Sequence, residues 1–437
     1  MEPKYFETLY SADTRQTELS KIVSFVREGS SCQLVGLPGV GRSTLFGVLV
    51  HNREVRLKHF PKHHDIVHFV LVNFSEVKKR PFSDVVKFLF LCLGTSLRER
   101  AMQEEYEYID GLFKKALAYN DELVLSQDLK NAIDYLAIEK KLTIIFLFDR
   151  FDEYVPQVSD ELFTLLRSLR DRAKYRFSVI FSLARPLEMT IEPQLMHDFS
   201  DFISGHVIYL SLFDAPSVEF RISYLEKLTG KKITQEQRKE ILRLTGGHLR
   251  LVKVCVEAIM AEPEPIGQLE EFFQSKSTVQ AALKSIWQGL TPEEQADLVD
   301  RQFATNEYLR HVGLVTETGL AIPLFAQALE QGLFKENEAK LVYDETSNVI
   351  KKGETVISDG LTKAEFRLLR YLLQHPGEVV ERETIIHIVW QEDKTTEGVT
   401  EQAVDQLLFR LRHKIEAEPT QPKHLQTIKG RGVKYTP

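Results

Sequence analysis

Short, mostly apolar runs in this chain are separated by longer stretches in which apolar residues recur every three or four positions. The runs lie at Ser31–Val35, Ile66–Phe74 (IVHFVLVNF), Leu142–Asp149 (LTIIFLFD) and Phe177–Ala184 (FSVIFSLA). They are rich in Ile, Val and Phe and too short for buried helices. Alternating with helical spacing, they predict a mostly parallel sheet covered on both faces. This α/β pattern is expected over residues 1–211, with a glycine-rich turn after the first strand and a helix from Ser43 to Val50.

After LSLFDAPS the spacing is helical throughout. VEFRISYLEKLTG, ITQEQRKEILRLTGG and HLRLVKVCVEAIMA follow one another, the last two parted by Gly246-Gly247, a helix stop. A helical lid over residues 212–276 is predicted. AALKSIWQGLTPEEQADLV is helical again, with Thr291 capping a first turn of Pro292, Glu293 and Glu294. NEYLRHVGLVTETGLAIPLFAQAL reads as a helix, a two-strand wing around Glu317–Gly319 and a closing helix, so residues 277–337 are expected to form a small winged-helix-like module. From residue 338 the strand-like pieces LVYD, NVIKKG and ETVIS precede LTKAEFRLLRYLLQHPG, a helix capped at Thr362 and ended before Pro376 and Gly377. ERETIIHIVW gives a second helix, Gln391–Gly398 a loop, VTEQAVDQLLFRLRHKIEA a third helix and HLQTIKGRGVKY a hairpin. Three helices with a trailing hairpin make a winged helix-turn-helix over residues 338–437. The chain is thus expected to be multidomain.

Length and charge refine this. The 437 residues exceed what one core organises, predicting two to four domains. The 43% apolar and 27% charged content is ordinary for globular chains. A net charge of −7 excludes a chain-wide basic coat, so nucleic-acid affinity must come from a local patch. Cys32, Cys92 and Cys255 each sit in an apolar stretch, as buried thiols of a reducing compartment do. The start lacks a basic region followed by an apolar core, and no apolar run nears about 18 residues. A cytoplasmic protein without a membrane partner is expected.

GLPGVGRS, Gly36 to Ser43, fits the phosphate-loop pattern GxxxxGK[ST] except that Arg42 stands where lysine is usual. Glycines let backbone N–H groups turn inward around phosphate oxygens, and the helix that follows adds its positive end. Gly36, Gly39, Val40, Gly41, Arg42, Ser43 and Thr44 are therefore candidate ligands of ATP or ADP. Ser43 would place its hydroxyl on Mg²⁺, and Arg42 would neutralise phosphate charge. The arginine fork is no compact ammonium, which bears on hydrolysis more than on binding. LTIIFLFDRFDEY ends a strand at Asp149, where a carboxylate would hold Mg²⁺ beside the phosphates. Asp152 or Glu153 could orient an attacking water, Glu153 having the longer reach.

GLPGVGRST and LFDRFDE, with Arg185 in FSLARP and TGGHLRLV from Thr245 to Val252, resemble the STAND branch of AAA+-related signalling ATPases over roughly residues 10–335. The resemblance implies that Arg185 senses the γ phosphate and that His248 and Arg250 belong to a GGHP-like lid turn, with Leu249 in place of the proline. TRQTELSKI is similar to the base-proximal segment opening such domains, with Arg15 and Glu18 in place. Residues 361–437 resemble the winged-helix output domains of OmpR-type response regulators, through LTKAEFRLLRYLLQHPGEVVERETIIHIVW, VDQLLFRLRHKIE and LQTIKGRGVKY. No phosphoacceptor receiver precedes them, so the ATPase would replace it as the switch.

In the third helix Val404, Leu407, Leu408 and Leu411 share an inward face. Gln402 and Gln406 could read base edges of double-stranded DNA, and Arg410 a base or a phosphate, while Glu401 and Asp405 repel phosphate. From Phe409 to the C terminus there are seven Lys or Arg against two Glu. Arg412, Lys414, Lys429, Arg431 and Lys434 concentrate this charge on the third helix and wing, with a wing arginine near the minor groove or backbone. The acidic wing VTETG of the middle module is expected to avoid DNA. Three functions follow as expectations. The first is a nucleotide-switched regulator of transcription that self-associates on binding nucleotide and answers to a protein effector. The second is an initiator-like AAA+ DNA-binding ATPase, and the third a non-hydrolysing nucleotide-binding scaffold in signalling or phage defence.

Overall fold

Runs of Ile, Val and Phe with no polar face can be buried only between two layers, and the computed structural model buries them so. It describes residues 5–119, 121–262, 269–302, 306–334, 341–345, 347–352, 355–390, 401–416, 422–428 and 431–436. β1 (Cys32–Val35), β2 (Val67–Asn73), β3 (Thr143–Asp149), β4 (Phe177–Leu183) and β5 (Val207–Tyr209) pair in parallel, in the order β2-β3-β4-β1-β5. α1 (Gln16–Arg27) precedes β1, and α2 (Arg42–His51) and α3 (Arg53–His59) lead to β2. α4 (Phe82–Glu99), α5 (Gln103–Tyr119) and α6 (Glu122–Asp134) separate β2 from β3; α7 (Asp160–Ala173) and α8 (Pro193–Met196) follow β3 and β4. β5 is an addition to the four expected strands: three residues at a sheet edge are too few to show a period. Because β4 lies between β3 and β1, the carboxyl ends of these three strands stand side by side.

Past the sheet come α9 (Ala215–Thr229), α10 (Gln235–Thr245), α11 (Leu249–Ala261) and α12 (Leu269–Ser275). Gly246 and Gly247 take φ of +59° and +79°, and a Cβ on Gly247 would lie 2.5 Å from the Phe213 ring. Glycine is needed there for both its conformation and its bareness. α13 (Ser277–Gln288), α14 (Pro292–Val299), α15 (Glu307–His311), the hairpin β6 (Val315–Thr316) and β7 (Gly319–Leu320), and α16 (Pro323–Glu330) complete this part. The hairpin falls where the VTETG wing is expected. One apolar core runs through Leu34, Leu147, Val252, Leu283 and Phe325, so sheet, lid helices and middle module form a single unit, Met1–Phe334.

The second unit, Lys335–Pro437, begins with the antiparallel sheet β8 (Leu341–Asp344), β9 (Val349–Lys352) and β10 (Thr355–Val356). α17 (Lys363–Gln374), β11 (Val379–Val380), α18 (Arg382–Trp390), α19 (Glu401–Ile415), β12 (Leu425–Ile428) and β13 (Gly432–Tyr435) follow. β13 pairs with both β12 and the two-residue β11, which is too short to be read from the sequence. Leu368, Leu369, Leu372, Ile385, Val404, Leu407, Leu408 and Leu411 make its separate core. The expected loop Gln391–Gly398 lies outside the described residues.

A buried carboxylate ties this core together. Thr362 caps α17 in a capping box with Glu365, whose side chain is fully buried and 2.6 Å from the Lys414 ammonium. Burial alone would raise the Glu365 carboxyl; Lys414 and the Thr362 backbone and side chain outweigh it and hold the group below its ordinary range. Its contribution to stability is therefore present above about pH 4.3, the unfolded carboxylate value, and is lost as pH falls below it through the folded value. Glu365→Ala is expected to destabilise this unit by about 3 kcal/mol at pH 7, because it strands a lysine and uncaps a helix. Urea denaturation at pH 7 and pH 3 checks this, and a mutant penalty equally large at both pH values would contradict it.

Candidate functional site

The loop after β1 is held open at its base and curled at its tip. The Gly36 amide donates to Leu183 O at 3.2 Å, extending the β1–β4 ladder, and Val40 N donates to Leu37 O at 3.2 Å. Gly39 and Gly41 take φ of +87° and +110°. A Cβ on Gly39 would stand 2.8 Å from Arg250 Cβ and 2.9 Å from His248 Cε1, and one on Gly41 would stand 2.8 Å from Leu249 Cδ1. The glycines thus serve the curl and the close approach of α11 together. α2 starts at Arg42, so the amides of Arg42, Ser43 and Thr44 in its first turn have no intrahelical acceptor.

The carboxyl end of β3 meets this turn. Ser43 Oγ donates to Asp149 Oδ1 at 2.9 Å, and Asp149 is buried. A hydroxyl and a carboxylate in contact beside unpaired helix amides form the oxygen donor set that Mg²⁺ and a phosphate chain require, so the residues fit an Mg²⁺-nucleotide. Arg42 Nη1 pairs with Asp152 Oδ2 at 3.1 Å, while Asp152 Oδ1 accepts from the Ala184 amide at 2.6 Å. Glu153 is bonded by Lys78 at 3.1 Å. Asp152 is accordingly occupied on both oxygens and bridges the phosphate loop to the end of β4.

Arg15 is buried and joins three segments. Its guanidinium donates to Ser211 O at 2.6 Å and to Val40 O at 2.9 Å, and lies 3.4 Å from Glu18, which itself accepts from Ser211. The structure places Arg15 as a strut between the chain start, the loop and the strand β5 exit. His248 is fully buried and donates from Nε2 to Pro38 O at 2.9 Å, while Nδ1 faces the Leu251 amide at 3.4 Å. That arrangement needs a neutral imidazole, and burial pushes its pKa down to about 4. The Arg250 amide donates to Gly39 O at 3.2 Å, and its side chain reaches Ser285 Oγ at 3.2 Å.

Arg185, at the end of β4, points to the middle module. It donates to Gly289 O at 2.9 Å, pairs with Glu294 and stacks 4.6 Å over the Tyr308 ring, whose hydroxyl donates to Ala184 O at 2.8 Å. Glu294 is also the capping-box partner of Thr291. Gly289 packs so closely that a Cβ would lie 2.7 Å from Pro38 Cγ. Gly289, Glu294, Tyr308 and Ser211 are not among the site residues expected from the sequence. Only Glu294 carries a signal, as a capping residue that turns out to be buried, and a capping residue alone does not reveal its distant partner.

In the second unit, α19 buries Val404, Leu407, Leu408 and Leu411 and exposes Gln402, Gln406, Phe409 and Arg410. The expected DNA-contacting cations divide. Arg412 donates to Leu425 O at 2.7 Å and Thr427 Oγ1 at 2.7 Å, fastening α19 to the hairpin. Lys414 bonds Glu365 and Gly360 O at 2.6 and 2.8 Å, and Arg410 Nε lies 3.6 Å from Glu365. Arg431 is exposed and Lys434 half-buried on the hairpin, and Lys429 lies outside the described residues. Asp405 is paired with Arg382 at 2.6 Å, which offsets one of the two acids on this helix.

Several known proteins are similar to parts of this chain. Response regulator DrrB of Thermotoga maritima, an OmpR/PhoB homologue, is 22% identical over 34% of this chain and 76% of its own, with a TM-score of 0.20. CDC6P of Pyrobaculum aerophilum is 14% identical over 74% of this chain and 94% of its own, with a TM-score of 0.37. Drosophila ORC bound to DNA is 14% identical over 86% and 79%, with a TM-score of 0.36. With every TM-score below 0.5, the fold rests on the strand order and pairings above. Residues 359–435 match the family model described as transcriptional regulatory protein, C terminal.

Proposed function

We propose that the chain is a STAND-type, nucleotide-switched regulator of transcription, in which ATP or ADP at the glycine loop controls exposure or multimerisation of its C-terminal winged helix. The reading divides it into an NTPase domain (1–211), a lid (212–276), a regulatory winged-helix module (277–337) and a DNA-binding domain (338–437). The observation that carries it is Arg185, which leaves the same sheet edge as the phosphate loop yet grips Glu294 and Gly289 of the middle module.

Bound nucleotide supplies anionic phosphates, with Mg²⁺ to offset their charge. Ser43 and Asp149 would hold the cation, and the loop amides with Arg42 the phosphates. Arg42 must then exchange Asp152 for phosphate, and Arg185 must exchange Glu294. His248 and Arg250, which hold the carbonyls of Pro38 and Gly39, transmit any rearrangement of the loop to α11. Self-association and a protein effector would act on the unit that these contacts close. The match of residues 359–435 supports DNA as the output partner. The non-hydrolysing scaffold is the second reading, favoured by the Arg42–Asp152 pair, since both oxygens of that carboxylate are occupied. An initiator-like role would show as a preference for origin-like repeats over promoters.

Fluorescence anisotropy with labelled genomic fragments at about 100 mM salt, with ATP–Mg²⁺, ADP or no nucleotide, tests the switch. Affinity is expected to differ between nucleotide states, and Arg431→Ala to weaken binding across sequences and lower the salt slope by about one. Absence of DNA binding in every state would overturn the reading. Glu294→Gln is expected to free Arg185 and raise ATP affinity at least five-fold over ADP, the lower end of ordinary coupling between sites; titration of a fluorescent ATP analogue measures it, and unchanged affinities would remove Arg185 from the switch. Asp149→Asn is expected to weaken Mg²⁺-dependent nucleotide binding roughly ten-fold or more, read as the difference between titrations with Mg²⁺ and with EDTA. An equal effect in both would place Asp149 outside the metal site.

A further inference from the structure

α19 presents a stripe unlike a phosphate-binding surface. Gln402, Gln406, Phe409 and His413 are exposed and follow one another at helical spacings of three and four, so they line one narrow face. Phe409 is 62% exposed, with its ring 4.2 Å from that of His413, whose Nδ1 donates to Phe409 O at 2.8 Å. The outward Phe409 ring leaves an apolar surface on this face available for contact. The cations beside it are drawn elsewhere: Arg412 to the hairpin, Lys414 to Glu365, and Arg410 toward the same carboxylate. The stripe itself carries two carboxamides, an aromatic ring and an imidazole, and the exposed guanidinium of Arg410 flanks it, 3.6 Å from Glu365.

These groups have definite counterparts in the major groove. A carboxamide bonds adenine N6 and N7 in two-pronged fashion, an apolar group contacts the thymine 5-methyl, and arginine or lysine is the usual partner of guanine. At 1.5 Å rise per residue, Gln402 to Phe409 spans about 10 Å, or roughly three base-pair steps. The exposed Arg431 and the half-buried Lys434 of the hairpin supply positive charge for the flanking backbone. Resting on the DNA-binding reading above, we propose that this stripe selects an A·T-rich core, with Gln402 and Gln406 taking adenines and the Phe409 ring packing on a thymine methyl.

The test uses the full-length chain. A duplex is enriched from a random-sequence pool, then measured by anisotropy beside versions in which each thymine in turn is replaced by deoxyuridine, which deletes only the methyl. The enriched core is expected to be A·T pairs, and one uracil position to cost about four-fold in affinity, the worth of one buried methyl. Phe409→Ala should bind the parent duplex more weakly and be indifferent to that uracil, whereas Phe409→Leu should retain part of the discrimination. Gln406→Ala should lose roughly ten-fold preference for adenine at the neighbouring position. A G·C core, or wild-type affinity unchanged by uracil at every position, overturns the proposal while leaving DNA binding intact. Failure to enrich or bind any duplex overturns both.

Discussion

The Met1–Phe334 unit depends on how closely α11 approaches the glycine loop. In a trans peptide the carbonyl and the following amide point in opposite directions. His248 holds Pro38 O, so the Gly39 amide is turned away from the lid; Arg250 N holds Gly39 O and orients the next peptide likewise. The lid thus sets the direction of the amides that would cradle phosphate. A side chain at Gly39 or Gly41 would stand under 3 Å from α11 residues, so only a bare loop permits the contact. In the proposed switch, nucleotide affinity and lid position would be one equilibrium.

The charges around the loop make that equilibrium adjustable. Arg42 and Arg185 are each paired with a carboxylate, Asp152 and Glu294, on partly or wholly buried groups. Breaking such a pair outright costs several kcal/mol, whereas exchanging one anion for another costs only the difference. In the proposed switch, a bound phosphate would offer that exchange. After such an exchange each carboxylate would keep a backbone donor, Asp152 the Ala184 amide and Glu294 the Thr291 amide of its capping box.

Much of this frame was legible in residue pattern. Apolar runs located β1 to β4, the glycines located the loop, and the Thr291 and Thr362 caps located helix starts, because each is set by local backbone chemistry. β5 and β11 are too short for a period and exist only through their neighbours. The partners of charged residues were the other gap. Arg15, Arg412 and Lys414 read as ligand-seeking cations, and the structure satisfies all three from within the fold. A side chain's charge is written in the sequence, but which anion or carbonyl takes it is decided by tertiary packing.

That gap changes how the C-terminal unit is understood. A surplus of lysine and arginine after Phe409 suggests affinity through charge, yet Glu365 and the hairpin carbonyls draw three of those cations onto framework contacts. Gln402, Gln406 and Phe409 stay exposed on α19 beside the partly engaged Arg410. In the proposed reading, long-range attraction would fall to the hairpin, where Arg431 is exposed, and base discrimination to Gln402, Gln406 and Phe409. Two separate elements carrying affinity and selectivity can be adjusted independently, because a change in salt acts on the first and leaves the hydrogen-bonding and apolar contacts of the second nearly untouched.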